Sequence, residues 1–337
     1  MTDAESSGIR RATMSIAPPR SPQPTPAASS LPKGQEGRPE HPVYAPPGPS
    51  DYARLLLLAA IWGSSFLFIK IGVDSVPAVP MTTLRIGLAA VLMVALARAY
   101  GEWLPTDRRL WPFIVLAALF GNALPFTLIS WGEERIDSGL AAILMAPMPL
   151  TTLVLAHIFT EEKLNTGKLA GVGLGILGLI VLIGPESLTR LGEDTVRQLA
   201  VAAAGCCYAV NAVASKWLTG GSRIGMAAAV MVASTLFMAP LSLLEPSDWL
   251  FAPTPASLTA IVVLAVMQTA IGTLLMLGIV ARQGASFFSQ INFLIPLFGV
   301  MWGAVVLAER PSPNAVVALA LILAGVAVAR RAVVRGR

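Results

Sequence analysis

Charge is the first thing this sequence lacks. Only 13% of its 337 residues are Asp, Glu, Lys or Arg, whereas 55% are hydrophobic, and its mean hydropathy of +0.70 lies well outside the soluble range. A water-soluble enzyme of this length is excluded. Cysteine is also scarce. Cys206 and Cys207 are adjacent inside an apolar run, a poor placement for a structural disulfide and a natural one for small packing side chains. His41 and His157 are the only histidines, too few for a histidine-based metal centre, so neither a metal nor a cofactor is expected. His157 could titrate near neutral pH or simply hold a packing hydrogen bond. Strand-like alternation is missing, which argues against an outer-membrane barrel. The net charge of +5 is modest and dispersed, so no nucleic-acid partner is indicated. No phosphate-binding glycine loop is present, which disfavours ATP hydrolysis by this chain.

What remains is apolar sequence in lengths suited to a bilayer. Residues 1–50 are rich in Pro, Ser and Gly and lack an apolar core, the composition of a disordered cytoplasmic tail. They contain no apolar h-region, so the first hydrophobic run is expected as a retained helix. Beyond them stand ten candidate spans, 53–73, 79–100, 110–131, 138–159, 167–184, 197–218, 224–244, 257–281, 285–308 and 314–332. A helix of about 20 residues crosses the hydrocarbon core. The expected fold class is an all-α polytopic membrane protein of ten transmembrane helices, closed by a short basic tail at 333–337.

The spans repeat. Arg135 and Arg282, Pro149 and Pro296, Glu162 and Glu309, and Gly178 and Gly325 each stand 147 positions apart (296 − 149 = 147), while Lys70 and Lys216 stand 146 apart. The halves are 53–184 and 197–332, divided by the long connection "GPESLTRLGEDTVRQ". Five spans per half is an odd number, so the halves must enter the membrane in opposite senses. Such inverted repeats are typical of transporters with a midplane site between the halves. Lys and Arg concentrate on the side that holds Arg54, Arg98, Arg108, Arg109, Lys163, Lys168, Arg223 and Arg330, which orients both termini to the cytoplasm.

Particular motifs now carry a resemblance. "WGSSFLFIK" in the first span, "TTLRIGLAA" around Arg85, and the paired blocks "APMPLTTLVLAHIFTEEKLNTGKLAGVGLGILGLIVL" and "LIPLFGVMWGAVVLAERPSPNAVVALALILAGVAVA" resemble EamA-type transporters of the drug/metabolite transporter superfamily. The likeness covers residues 53–332. Span six, "GCCYAVNAVASKW", departs from it by lacking the Trp-Gly opening of span one. The resemblance implies a ten-helix bundle of two inverted repeats around a central cavity, moving amino acids, other metabolites or drugs across the cytoplasmic membrane. Small-cation exporters of the wider superfamily use a deep carboxylate. Here Asp74, Glu133, Glu162, Glu245 and Glu309 all fall at span ends, so lone-cation export by that route is disfavoured.

Trp62, Phe66 and Lys70 share one arc of a helix, and Tyr208, Ala212 and Lys216 repeat the arrangement. Lys70, about 24 Å along its helix from Arg54, is either a snorkelling end-of-helix charge or part of a gate. Trp62 at about 12 Å, with Ser65 beneath it, lines a cavity or packs between helices. Arg85 lies roughly 9 Å into span two, where it pairs structurally or guides anionic groups. Asn122 and Thr269 are one repeat apart, with Gln268 adjacent, and Asn211, Gln290 and Asn292 add further amides. Such groups either glue helices or bind an uncharged or zwitterionic polar solute. Pro125, Pro149 and Pro296 free carbonyls in their helices. Gly167, Gly171 and Gly175 have the spacing of close helix packing. The favoured function is a secondary transporter, an exporter, that alternates access to a central cavity. Its partners are a small-molecule solute, the bilayer and a coupling proton, in a monomer or homodimer. The alternative is a membrane-embedded lipid-handling protein or enzyme, for which the spans offer no catalytic constellation.

Overall fold

The computed structural model describes residues 46–159, 166–183, 193–214, 222–246, 250 and 252–335. The N-terminal tail up to residue 45, Glu162 and Lys216 lie outside them. Every regular element among the described residues is helical. In chain order these are α1 Pro49–Gly72, α2 Ala78–Ala99, α3 Trp111–Ala118, α4 Leu124–Glu133, α5 Ser138–Met145, α6 Met148–Phe159, α7 Thr166–Ile183, α8 Glu193–Ala214, α9 Arg223–Ser242, α10 Pro255–Val263, α11 Gly272–Phe288, α12 Ile291–Val306 and α13 Pro313–Arg335. Among the described residues, seven stretches are long and apolar enough to cross a membrane: Pro49–Gly72, Ala78–Ala99, Arg108–Glu133, Ser138–Phe159, Asp194–Ala214, Arg223–Ser242 and Pro255–Gly284. Leu294–Val306 and Pro313–Val328 are shorter apolar helices.

Helix starts follow from local chemistry. Pro49 opens α1, and the Asp51 carboxylate accepts the Gly48 N–H at 3.1 Å, so one otherwise orphaned donor is met. Ser222 caps α9 by accepting from the Gly225 N–H, and Thr254 caps α10 by accepting from that of Ser257.

Several expected spans are less regular than their apolarity suggests. Between α3 and α4 the chain adopts a π turn, Leu119–Ala123. Pro125 lies just beyond it, and an ordinary α turn there would set the proline ring against the carbonyl four residues back. A second π segment, Leu264–Ile271, separates α10 from α11. The two π segments hold Asn122 and Thr269, which are 147 positions apart. The expected span 138–159 breaks between Met145 and Met148, which puts Pro149 in the first turn of α6 rather than mid-helix. Span 285–308 instead begins inside α11, just past a kink at Gly284 (φ 78), and the helix restarts at Ile291. Pro296 does lie inside a helix, α12.

Packing joins the early and late parts of the chain. α1 lies against α10, α11 and α12, α8 against α4, α5 and α6, α2 against α9, and α7 against α13. The last pair is held by glycines. A Cβ on Gly325 would lie 2.6 Å from the Gly171 carbonyl oxygen and 3.0 Å from the Gly175 nitrogen. The two backbones are in contact, as small-residue packing in membranes requires.

Gly325→Ala should therefore force α7 and α13 apart and destabilise the protein by about 1–3 kcal/mol. Gly173→Ala, whose added Cβ meets nothing within 4 Å, should be neutral. Thermal unfolding of the two purified variants in one detergent checks the difference.

Candidate functional site

Among the described residues Arg85 is the most buried cation that the helices bring inward. It is only 4% exposed, although a guanidinium without full pairing costs several kcal/mol to desolvate. Two contacts offset that cost. Its Nε donates to Thr269 Oγ1 at 3.0 Å, a partner supplied by the second π segment. Its Cζ lies 3.8 Å from the centroid of the Phe126 ring, an attraction worth about 2 kcal/mol when desolvated. The two terminal nitrogens donate to no described residue. Tyr208 and Glu133 stand within electrostatic reach of the guanidinium. The Tyr208 ring meets Phe126 edge-on at 6.5 Å, and its hydroxyl also has no described partner.

The interior also holds polar atoms with unused hydrogen-bonding capacity. Thr82 Oγ1, Ser130 Oγ, both carboxylate oxygens of Glu133, Asn211 Oδ1 and Gln268 Oε1 are buried and unpartnered. They ride on α2, α4, α8 and the second π segment, and α2 packs against both α4 and that segment. Buried polar groups are normally paired, so a concentration of unpaired ones is a feature to be explained.

The expected site residues divide into those that reach this interior and those that do not. The Trp62 indole Nε1 donates to the Gln268 carbonyl at 3.0 Å, and Gln268 Nε2 donates to Ser64 Oγ at 3.2 Å. Ser64, not Ser65, is therefore the hydroxyl joined to the amide. Asn122 Nδ2 donates to Ser234 Oγ at 3.2 Å, tying the first π turn to α9, and the Asn211 amide lies against Gly121 in the same turn. Phe66 is a core residue, buried among Ile69, Val76 and Ile129. Gln290 and Asn292 lie where α11 meets α12, and Asn292 Nδ2 donates to the Ser289 carbonyl. Neither bonds to the Arg85 group.

A second polar cluster gathers on the turn between α4 and α5. The Lys70 ammonium donates to the carbonyls of Glu133 and Ile136 at 2.7 and 2.8 Å. These oxygens lie at and just beyond the end of α4, where a helix leaves carbonyls without partners. From the following helix start, the Ser138 and Gly139 N–H groups donate to the Glu309 carboxylate, each at 2.8 Å, and Ser138 Oγ donates to it at 3.0 Å. Gly303 makes room for that carboxylate, and Ala308 (φ 56) turns the chain back beyond α12. Arg197 Nη1 donates to the Trp131 carbonyl and pairs with Glu134 at 2.6 Å. At a different place Asp51 accepts from Arg282 Nε at 3.3 Å and from Gln283 Nε2 at 3.0 Å.

Glu133 is the residue that its position at a span end conceals. The structure buries it completely, because the bundle closes over that helix end. Ser64, Phe126 and Ser234 were also not singled out. The only signals in their favour were a neighbouring serine and a one-turn step from Asn122 to Phe126. Among the described residues no cluster of three His, Cys, Asp or Glu could hold a metal ion.

The EamA-like transporter family model matches residues 52–184 and 197–331. The probable terminal-alkyne amino-acid exporter of Streptantibioticus cattleyicolor is 30% identical over 279 residues, covering 82% of this chain and 92% of that protein. An uncharacterized transporter of Archaeoglobus fulgidus is 25% identical, covering 81% and 95%. The uncharacterized inner membrane transporter YedA of Escherichia coli is 32% identical over 137 residues, 39% of this chain and 42% of YedA. A crystal structure at 22% identity superposes with a TM-score of 0.61, covering 85% of this chain and 98% of that one, a likeness of fold. With its apolar helices and its family match, the chain is a multi-pass membrane protein.

Glu309→Gln should lose one carboxylate oxygen as acceptor and the charge at the α5 start, destabilising by roughly 1–2 kcal/mol. Ala308→Gly should stabilise by on the order of 1 kcal/mol by relieving the left-handed backbone. Thermal midpoints of the two variants, moving in opposite directions, check both.

Proposed function

We propose, since this chain belongs to the EamA-like transporter family, that it is a secondary exporter of small amino-acid-like solutes which binds their carboxylate at Arg85. The observation that carries this reading is a guanidinium 4% exposed whose terminal nitrogens have no described protein partner. Such a planar donor pair suits a carboxylate, which accepts two parallel hydrogen bonds. The Tyr208 hydroxyl, Asn211 and Gln268 supply further polar contacts for a zwitterion. The name of the Streptantibioticus relative, an amino-acid exporter, supports the same solute class.

The architecture we assign is ten helices in two inverted five-helix repeats, 53–184 and 197–332, with the N-terminal tail of 1–50 and the basic end both cytoplasmic. Three features support it. The two π segments recur at the repeat distance. The packing partners of α1 and α8 exchange between halves, and α2–α9 and α7–α13 pair counterparts. Lysine and arginine counts give the orientation.

Alternating access then has physical content. Lys70, Arg197 and Glu309 draw α1, α8 and the end of α12 onto the α4–α5 turn. Asp51 joins α1 to α11 through Arg282 and Gln283. Rocking of one repeat against the other would break one set while Arg85 stays between them. No bond of the solute is made or cut, so the chemistry is recognition and movement.

Counterflow in proteoliposomes with terminal-alkyne and ordinary amino acids, purines and cationic drugs tests this reading. Amino acids should exchange, and Arg85→Ala should reduce exchange about tenfold or more, a loss of about 1.4 kcal/mol, while eluting as a monodisperse protein. Lipid scrambling without solute exchange would overturn the transporter reading. Full exchange by Arg85→Ala would remove Arg85 from it.

A further inference from the structure

A groove of about 500 Å³ runs along the outside of the bundle between α2 and α9. Val91 and Ala95 of α2 and Val232 and Leu236 of α9 form its walls. Gly87, with no side chain to fill it, lies near the middle of α2, where an added Cβ would meet Thr235 Cγ2 at 3.6 Å. The Thr235 hydroxyl donates to the Met231 carbonyl at 2.9 Å. The first free polar group along the groove is therefore Arg98, at the end of α2. From Gly87 to Arg98 the helix advances eleven residues (98 − 87 = 11), about 16 Å. That is half of the roughly 30 Å hydrocarbon core, the depth of one leaflet.

Arg98 is exposed and stacks on Trp103, its Cζ 5.0 Å from the ring centroid. It makes no hydrogen bond or ion pair with a described residue, and a guanidinium stacked on a ring keeps its in-plane donors free. Trp103 and Tyr100 are 66% and 69% exposed, as amphipathic rings at a membrane interface are. The loop that carries Trp103 is fixed to the start of α9. Ser222 Oγ donates to the Glu102 carboxylate there, and Gly225 admits the Trp103 carbonyl where a Cβ would clash. Glu102 is thus engaged away from Arg98, and Asp107 accepts from the Arg109 N–H.

We propose that this groove binds an anionic phospholipid, with one acyl chain between α2 and α9 and the phosphate on Arg98. An apolar channel one leaflet deep, ending in an unpaired cation at the interface, matches that molecule in length and in charge. A phosphate accepts two parallel hydrogen bonds from a guanidinium. A second copy of the chain, in the same membrane orientation, would instead bring Arg98 toward its own counterpart. The site does not depend on the solute or on Arg85.

Native mass spectrometry of the full chain, delipidated in detergent, tests this with dioleoyl phosphatidylglycerol and dioleoyl phosphatidylcholine, which share chains and phosphate. The wild type should retain phosphatidylglycerol over phosphatidylcholine by about fivefold or more. Arg98→Gln, at an exposed side chain, should abolish that preference. The double variant Arg108→Gln, Arg109→Gln removes exposed cations outside the groove and should keep it. Ala95→Phe, which fills the groove, should lower phosphatidylglycerol retention with Arg98 still present. Equal retention of the two lipids by the wild type overturns the proposal. So does an equal loss in both arginine variants, which would mean diffuse attraction only, or retention that Ala95→Phe leaves unmoved. A lipid-free dimer that Ala95→Phe converts to monomer would assign the face to a second copy and refute the lipid site.

Discussion

A guanidinium inside an apolar bundle constrains everything around it. Arg85 is almost wholly enclosed on α2, so the fold must supply an aromatic face, a hydroxyl and room for the donors left over. Phe126 provides the face and Thr269 the hydroxyl. Both are placed by departures from regular helix, since Phe126 follows the first π turn and Thr269 lies within the second. The π register also leaves the Gln268 carbonyl available to the Trp62 indole. Irregular backbone is tolerated at membrane depth only where protein or a polar cavity meets its freed groups, and here the same groups build the site.

The second constraint is the accounting of helix ends. The α4–α5 turn presents carbonyls on one side and N–H groups on the other, and both must be satisfied where the bundle buries them. A lysine meets the first set and a glutamate the second. These residues are therefore structural caps drawn from distant helices. In the alternating-access mechanism proposed above, withdrawal of α1 or α12 would uncover unsatisfied backbone. The transition would carry a definite free-energy cost, and a bound solute can offset part of it.

Much of this was legible in the sequence. Apolar run length and sparse charge gave the membrane class, and the paired Pro and Glu-Arg/Lys blocks pointed to the family that the EamA-like match now establishes. The 147-residue spacing singled out Asn122 and Thr269, which prove to occupy the two π segments. Glu133 was not legible, because position at a span end says nothing of whether neighbouring helices close over it. The choice between Ser64 and Ser65 was equally hidden, since adjacent residues differ by 100° and only the partner helix decides which is used. The break near Pro147 falls inside the expected span 138–159 because hydropathy is continuous across it, whereas Gly284 falls in the expected connection between 281 and 285. The sequence left Lys70 open between a snorkelling end-of-helix charge and part of a gate, and its ammonium is bound to two carbonyls that only tertiary packing brings within reach.

The central claim is that Arg85 recognises the carboxylate of an amino-acid-like solute. Its most direct test is titration calorimetry of the protein in nanodiscs with a terminal-alkyne amino acid and with its methyl ester, which keeps every group except the carboxylate charge. The account predicts binding of the acid and a loss of at least tenfold in affinity for the ester, or about 1.4 kcal/mol. Equal affinity for the two, or binding of neither, would contradict it.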